Sequence, residues 1–271
     1  MARVDLPHSG LRRRRRRRRA LYAGAVFLAA CALFGGMVWL SWAPFLRITS
    51  VAVVDAKTVA SSTVERYARQ EISGTYVWLF PRNNVFLYPR AEMAQTILKQ
   101  YPTLRAVDVH AQDFHTIVVA VTEREPVALW CGPSPAEPQP CLFLDEEGAA
   151  YAPAPEFSAP VYVPYYGSLV QGAPPRYLGT AQFQSLFALV AALGQKESAE
   201  AVAGVSVDSS GDVRMLFGGG FTLIFNLKDD GGDIFERFNL ALGSSVFSGK
   251  TLADFEYLDL RFGDKLYYKL K

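Results

Sequence analysis

Few residues of this 271-residue chain could do chemistry, and the first of them is a pair of cysteines. Nine residues separate Cys131 from Cys141, and four of these residues are prolines. Cysteines this close in sequence can form a disulfide in an oxidising compartment. The alternative is a pair of reduced thiols. The pair has no histidine nearby and does not have the spacing of a zinc site.

Histidine, the side chain used most often in acid–base catalysis, occurs only three times. His110 and His115 flank a predicted strand turn, where we expect exposed hairpin residues rather than a catalytic pair. The sequence contains no Gly-x-Ser-x-Gly, Walker A or His-Glu-x-x-His pattern. We therefore predict that the chain is not an enzyme and that it has no catalytic residue, no metal site and no cofactor.

A run of eight arginines adjoins an uncharged apolar stretch, and this junction predicts where the chain is located. The stretch at residues 20–43 would reach roughly 36 Å as a helix, which is enough to cross a hydrocarbon core of about 30 Å. Flanking basic residues remain cytoplasmic. We predict a single-pass type II protein of the cytoplasmic (inner) membrane, with a basic cytoplasmic tail at residues 1–19 and the C-terminal part outside. The residues that set this topology are Arg12, Arg13, Arg14, Arg15, Arg16, Arg17, Arg18 and Arg19.

Three other interpretations of this segment stay open. Residues 41–43 have the small-x-small form of a signal-peptide cleavage site, although Pro44 should hinder cleavage. Residues 28–31, ending at Cys31, have the form of a bacterial lipobox, although cleavage would leave a dozen apolar residues at the new N-terminus. The arginine run could also bind nucleic acid. However, residues 20–271 have 19 basic and 25 acidic side chains, so we expect no nucleic-acid partner.

Residues 45–124 have the pattern of a small α+β domain. A Val- and Ile-rich strand is predicted at residues 45–54, and a helix follows with Ser62 as N-cap and Glu65 completing a capping box. Pro89 opens a second helix, and two alternating strands follow around a turn at residues 112–115. The order β-α-α-β-β predicts a three-stranded sheet with two helices on one face.

Strand patterns dominate residues 125–271. They occur at residues 128–130, 142–144, 205–207, 213–217, 221–226, 255–261 and 265–269. Helices are predicted at residues 181–193 and from a capping box at Asp233 to about Val246. The acidic residues near Asp233 lack the spacing of a calcium loop. The predicted fold class is α+β: one transmembrane helix, the β-α-α-β-β domain, and a mainly antiparallel β domain with flanking helices.

Several short motifs occur in a fixed order along the chain. They are Phe45-x2-Ile48-x2-Val51-x-Val53, Asn84-Val85-Phe86-Leu87, Tyr101-Pro102 before Val107-Asp108-Val109, residues 119–128, Leu144-Asp145-Glu146-Glu147-Gly148, and Leu258-Asp259-Leu260-Arg261-Phe262. The series, over residues 12–271, resembles the FtsQ/DivIB cell-division family, whose first outer domain is a POTRA domain. Two turn positions depart from the family pattern: Asp55 stands where a glycine is usual, and no proline is present near Phe114.

The resemblance implies a function as well as a fold. It implies a non-enzymatic divisome scaffold at the division septum that couples division to septal peptidoglycan synthesis. The implied partners are FtsB/DivIC-like and FtsL-like coiled-coil membrane proteins, with an FtsK-like protein as a further candidate. It places Glu123 and Arg124 at the junction of the two outer domains, whereas the residues alone fit a solvated strand end equally well. The rival function is a POTRA-containing envelope assembly or secretion factor, which would carry tandem POTRA repeats and a β-barrel.

The last predicted strand, at residues 265–269, is the candidate partner-binding edge. An exposed edge offers unpaired N–H and C=O groups to an incoming strand. Leu266 and Tyr268 should point to one face and Tyr267 to the other, with Phe262 and Tyr267 as aromatic anchors. Arg261 joins this set through the family's Asp-Leu-Arg strand. The alternative is that these side chains only pack against their own sheet.

Overall fold

A computed structural model describes residues 9–194, 201–263 and 265–271, with side chains from Arg14 onward. Within these ranges the helices are α1 (Ser9–Ser41), α2 (Ser61–Glu71), α3 (Arg90–Gln100), α4 (Thr180–Gly194) and α5 (Gly231–Leu242). Short 3-10 helices lie at Pro44–Leu46 and Leu252–Asp254. The first eight residues of the predicted tail, and the side chains of Arg12 and Arg13, lie outside the described residues.

The described residues form fourteen strands. The first seven are β1 (Ser50–Val54), β2 (Thr75–Tyr76), β3 (Phe80–Pro81), β4 (Leu104–Ala111), β5 (Thr116–Glu123), β6 (Ala128–Trp130) and β7 (Leu142–Leu144). The others are β8 (Ala150–Pro153), β9 (Pro164–Tyr166), β10 (Val202–Val207), β11 (Asp212–Phe217), β12 (Thr222–Asn226), β13 (Phe255–Phe262) and β14 (Lys265–Leu270). The predicted α+β class is confirmed.

The chain divides into two compact units. The N-terminal unit runs to Gln100 and adds Ala106–Thr122, whereas the C-terminal unit consists of Tyr101–Arg105 and Glu123–Lys271. The segment Tyr101–Arg105 belongs to the second unit, and Arg124 N–H of that unit donates to the Thr103 carbonyl at 2.8 Å. The chain passes between the two units three times, after residues 100, 105 and 122, whereas the sequence predicts one boundary, after residue 124.

The N-terminal unit has a three-stranded sheet of order β1-β5-β4, and β1 runs parallel to β5. Strands β2 and β3 form a separate hairpin. Met93 and Ile97, one helical turn apart on α3, are fully buried, as are Val64 and Ala68 on α2. These i, i+4 pairs give each helix one apolar face that packs inward.

Two details of this unit correct the sequence prediction. The strand expected to start at Phe45 starts at Ser50, because Pro44–Leu46 forms a 3-10 turn first. The predicted N-cap, Ser62, is wrong: α2 begins at Ser61 with Ala60 in the N-cap position and no side-chain cap.

The C-terminal unit is built on a nine-stranded, mostly antiparallel sheet of order β14-β13-β12-β11-β10-β9-β6-β7-β8. Three neighbouring pairs are parallel: β13 with β12, β10 with β9, and β9 with β6. Phe183 of α4 and Phe238 of α5 are buried in the same core as Val213 and Leu223 of the sheet. The predicted mainly antiparallel sheet is thus confirmed.

The start of α5 corrects a second capping prediction. The capping box expected at Asp233 is absent, because Asp230 is the N-cap and its side chain accepts from the N–H groups of Gly232 and Asp233. The helix ends at Leu242 rather than near Val246. An N-cap carboxylate satisfies N–H groups that the first helical turn leaves unpaired.

Candidate interaction site

Strand β14 is the outermost strand of the large sheet and pairs on one side only. Its register with β13 sets Tyr268 opposite Leu258 and Tyr267 opposite Asp259. None of the other described strands pairs with its second side. Such an edge presents backbone N–H and C=O groups that an incoming strand can use. The predicted residues Leu266, Tyr267 and Tyr268 therefore lie on an open sheet edge, whereas Arg261 and Phe262 lie at the end of the neighbouring strand β13, where Phe262 pairs with Lys265.

The structure divides the predicted edge residues between two roles. Phe262 is 53% exposed and Tyr267 50% exposed, and their rings meet edge to face with centroids 5.0 Å apart. Leu266 instead packs against the core, and the Tyr268 ring contacts buried Phe255 at 5.9 Å. Phe262 and Tyr267 thus form the exposed aromatic pair of the edge, while Leu266 and Tyr268 also hold the strand in place.

Arg261 lies beside this pair, between two carboxylates. Its Nη2 lies 2.6 Å from Asp259 Oδ2, and its Nη1 lies 2.5 Å from Asp212 Oδ2. These hydrogen bonds, first with Asp259 and then with Asp212, raise the pKa of Arg261. Burial by itself raises the pKa of Asp259, but the hydrogen bonds and charge of Arg261 outweigh burial and hold that pKa below its ordinary value.

An open cavity of about 380 Å³ adjoins Arg261 and Phe262. Asp212, Asn226 and Lys228 line the rest of it, with Asp229. Asn226 Nδ2 donates to Asp212 Oδ1 at 2.7 Å, which fixes the carboxylate that holds Arg261. The guanidinium is also stacked over the Phe262 ring, with Cζ 5.7 Å from the centroid. A charged rim and an exposed aromatic pair therefore share one surface.

A second ionic cluster surrounds Asp145, in the turn between β7 and β8. The Arg124 Nη1 donates to Asp145 Oδ2, and both side chains are almost completely buried, at 7% and 2% exposure. Asp145 Oδ1 accepts from the N–H groups of Glu147 and Ala149, both at 2.9 Å. Arg124 Nε also donates to the Pro102 carbonyl at 3.2 Å. Arg124 therefore lies inside the C-terminal unit and not at a solvated strand end, while Glu123 is half-buried at the end of β5.

Two further arginines reach the same turn. Arg105 donates to Glu146 and, at 3.0 Å, to Glu147. Arg176 donates to Glu147 Oε2 at 3.0 Å and to Thr180 Oγ1 at 2.7 Å. Glu146, ahead of Glu147, raises the pKa of Arg105. The sequence motif at residues 144–148 contains this turn, but its three arginine partners were not predicted.

Cys131 and Cys141 are joined by a disulfide that closes the proline-rich loop. An open, largely apolar cavity of about 860 Å³ adjoins this loop and is lined by Pro140, Phe157 and Tyr162 among others. The Phe143 ring contacts the Phe157 ring at 6.3 Å and the Tyr162 ring at 6.0 Å between centroids. The disulfide and the aromatic rings thus hold the proline-rich loop beside this cavity.

The two described histidines lie on the surface of the N-terminal unit. His110 Nδ1 lies 2.9 Å from Asp108 Oδ2, and both side chains are exposed. His115 N–H donates to Asp113 Oδ1 at 2.7 Å, in the turn before β5. Within the part of the chain that the structure describes, no three His, Cys, Asp or Glu side chains are grouped as metal ligands would be.

Helix α1 contains one candidate membrane span, Arg14–Ser41, which is long and apolar enough to cross a bilayer. The chain matches no model of a known protein family and no curated protein sequence. A functional assignment therefore rests on the geometry of the edge strand and of the apolar helix.

Proposed function

We propose that this protein is a membrane-anchored, non-enzymatic divisome scaffold of the FtsQ/DivIB type. The observation that carries the proposal is the open edge of β14, with the exposed pair Phe262 and Tyr267 beside it. A protein that presents a free strand edge and aromatic side chains together is suited to take up a strand or a helix of another protein.

The anchor and the disulfide support the proposed topology. Helix α1 crosses the cytoplasmic membrane with the arginine run inside, and residues 45–271 lie outside. A disulfide between Cys131 and Cys141 fits an oxidising, extracytoplasmic compartment. In this arrangement β14 faces partners that are themselves anchored in the same membrane at the division septum.

The order of elements in the N-terminal unit supports a POTRA domain. Strand β1 is followed by α2, α3, β4 and β5, and β1 pairs with β5 in parallel at the edge of a three-stranded sheet. The hairpin β2–β3 is an insertion between the two helices. In the proposal this unit offers a second contact surface, for an FtsK-like protein.

The proposed mechanism is strand addition at β14. A segment of an FtsB/DivIC-like protein, which pairs with an FtsL-like protein, extends the sheet through main-chain hydrogen bonds. Phe262 and Tyr267 then provide the buried aromatic contacts, and Arg261 provides a charged contact at the rim. The scaffold thereby brings the coiled-coil proteins to the septum and so to peptidoglycan synthesis.

The experiment is affinity capture of the tagged full-length protein from native membranes. We expect small single-span coiled-coil proteins to be recovered, and the double variant Phe262→Ala, Tyr267→Ala to reduce their recovery roughly 10- to 100-fold, as loss of hot-spot side chains does. The matched control is Val170→Ala with Leu240→Ala, which removes two exposed apolar side chains elsewhere on the same unit. Recovery of barrel or secretion components instead would support the rival envelope-assembly function and overturn the scaffold.

A further inference from the structure

The turn between β2 and β3 has a backbone conformation that its residues disfavour. Val77 and Trp78 have φ values of 46° and 58°, and Leu79 N–H donates to the Tyr76 carbonyl at 3.0 Å. A turn with two left-handed central residues normally contains Asn or Gly. A β-branched residue with positive φ is a strained exception. Such strain concentrates at functional sites.

The strained turn displays two large apolar side chains. Val77 is 75% exposed and Trp78 90% exposed, the highest exposure among the described large apolar side chains. Leu79 beside them is also exposed. In water, this tip would expose a tryptophan ring on a strained backbone. An apolar environment would explain why these residues occur there.

The hairpin lies alongside the distal end of α1. The Phe80 ring meets the Phe34 ring edge to face at 6.2 Å, and Trp42 Nε1 donates to the Leu79 carbonyl at 2.8 Å. Buried Asn84 donates from Nδ2 to the Ser41 carbonyl at 2.8 Å. Because Phe34 precedes Ser41 by seven residues, the contact lies about 10 Å along the helix from its end. The hairpin therefore runs beside the last two turns of the apolar helix.

A cation accompanies this apolar surface. The Arg47 guanidinium lies over the Trp42 ring, with Cζ 5.4 Å from the centroid. Its Nε is buried and has no hydrogen-bond partner. A guanidinium beside an interfacial tryptophan is a ready donor to a lipid phosphate.

We propose that the β2–β3 tip, Val77–Leu79, inserts into the outer leaflet of the membrane that α1 crosses, with Arg47 at the level of the lipid phosphates. The occupant is lipid because the hairpin that carries the tip lies against the apolar helix α1, through the contact of Phe80 with Phe34 and the hydrogen bond from Trp42 to Leu79. The inference rests on the membrane anchor of the proposed function. The consequence is a second membrane attachment, which fixes the tilt of the N-terminal unit on the bilayer instead of leaving it free on one helix.

Tryptophan fluorescence of the full-length protein tests the insertion. The protein is placed in phosphatidylcholine vesicles whose acyl chains are either normal or brominated, since bromine quenches only tryptophans within the hydrocarbon. The emission of Trp78 is the difference between the unsubstituted chain and Trp78→Phe. We expect this difference to lose most of its intensity in brominated lipid and to be insensitive to aqueous iodide.

Two controls make each outcome decisive. Trp78→Phe keeps Trp39 and Trp42, whose quenching by brominated lipid reports α1 separately. In the same background Val161→Trp puts a tryptophan at an exposed loop position of the C-terminal unit, and iodide should quench it.

Quenching of Trp78 by iodide and not by brominated lipid, with Trp39 and Trp42 still quenched by the lipid, overturns the insertion and leaves the anchor. If no tryptophan responds to brominated lipid, the anchor and the insertion fail together. If Trp78 is shielded from both quenchers, protein covers the tip, and the lipid assignment is wrong.

Discussion

The C-terminal unit holds two sites where an arginine meets carboxylates, and they differ in what surrounds the guanidinium. Arg124 and Asp145 are buried, and their other hydrogen bonds go to main-chain groups. Arg261 is partly exposed between Asp212 and Asp259, with its face over the Phe262 ring. The first site ties chain segments together, whereas the second presents charge next to an apolar surface.

The difference separates a structural ion pair from a contact site. A buried pair is held by its surroundings, and removal of one member leaves a charge that water cannot reach. A partly exposed pair loses less when one member is removed, because water replaces the missing partner. Replacement of Arg124 should therefore lower stability strongly. Replacement of Arg261 should lower stability less and partner binding more.

The largest loss of stability is expected for Arg124→Ala. Asp145 would remain buried with two N–H donors but no cation, which costs about 3–5 kcal/mol of folding free energy for a buried pair. At 2–4 °C per kcal/mol for a unit of this size, the thermal midpoint should fall by about 10 °C. The measurement is thermal unfolding of the protein in detergent, followed by the emission of buried Trp130.

The double variant Arg124→Ala, Asp145→Asn is the control for that prediction. An amide keeps an oxygen acceptor for the Glu147 and Ala149 N–H groups but carries no charge. The double variant should therefore be more stable than Arg124→Ala alone. Equal or lower stability would mean that the loss comes from the Pro102 contact of Arg124 and not from an unpaired carboxylate.

An intermediate loss of stability is expected for Asp259→Asn, and this loss should depend on pH. The folded state lowers the pKa of this carboxyl below 3.8, so its contribution is complete above that pH and disappears as the pH falls through the folded pKa. Asp259→Asn should cost about 1.5–3 kcal/mol near neutral pH, as loss of a charged hydrogen bond does. The check is a pair of unfolding series between pH 7 and pH 2. A difference between the two proteins that stays constant down to the lowest pH would contradict the ionic role of Asp259.

The sequence predicted strands better than helix starts. The bounds predicted for β6 and β7, residues 128–130 and 142–144, are those of the structure. Ser62-x-x-Glu65 has the form of a capping box, but Glu65 pairs with Arg69 at 2.8 Å on the surface of α2 instead. The helix begins at Ser61 and packs inward through Val64 and Ala68. A local sequence pattern shows a capping motif but does not show the tertiary packing that can override it.

The ionic cluster at Asp145 was missed because its members are far apart in sequence. Arg124 lies in one quoted motif and Asp145 in another, and the two became neighbours only through the pairing of β6 with β7, which sets Ala128 opposite Leu144. That antiparallel register brings the residues before β6 close to those after β7. Pairing the two predicted strands would have been the signal.

The smallest loss of stability is expected for Arg105→Ala. Arg105 and Arg124 reach the same turn, so the two arginines can be compared directly. Arg105 contacts Glu146 and Glu147 as Arg124 contacts Asp145, but its side chain is exposed. Water and salt screen such a pair, so the substitution should change the thermal midpoint by no more than the experimental error, and any change should be smaller at high salt than at low salt. The measurement is the same Trp130 unfolding curve at low and at high salt. A loss comparable to that of Arg124→Ala would show that the whole arginine–carboxylate cluster acts as one network, and burial would then no longer be what separates structural from dispensable ion pairs in this unit.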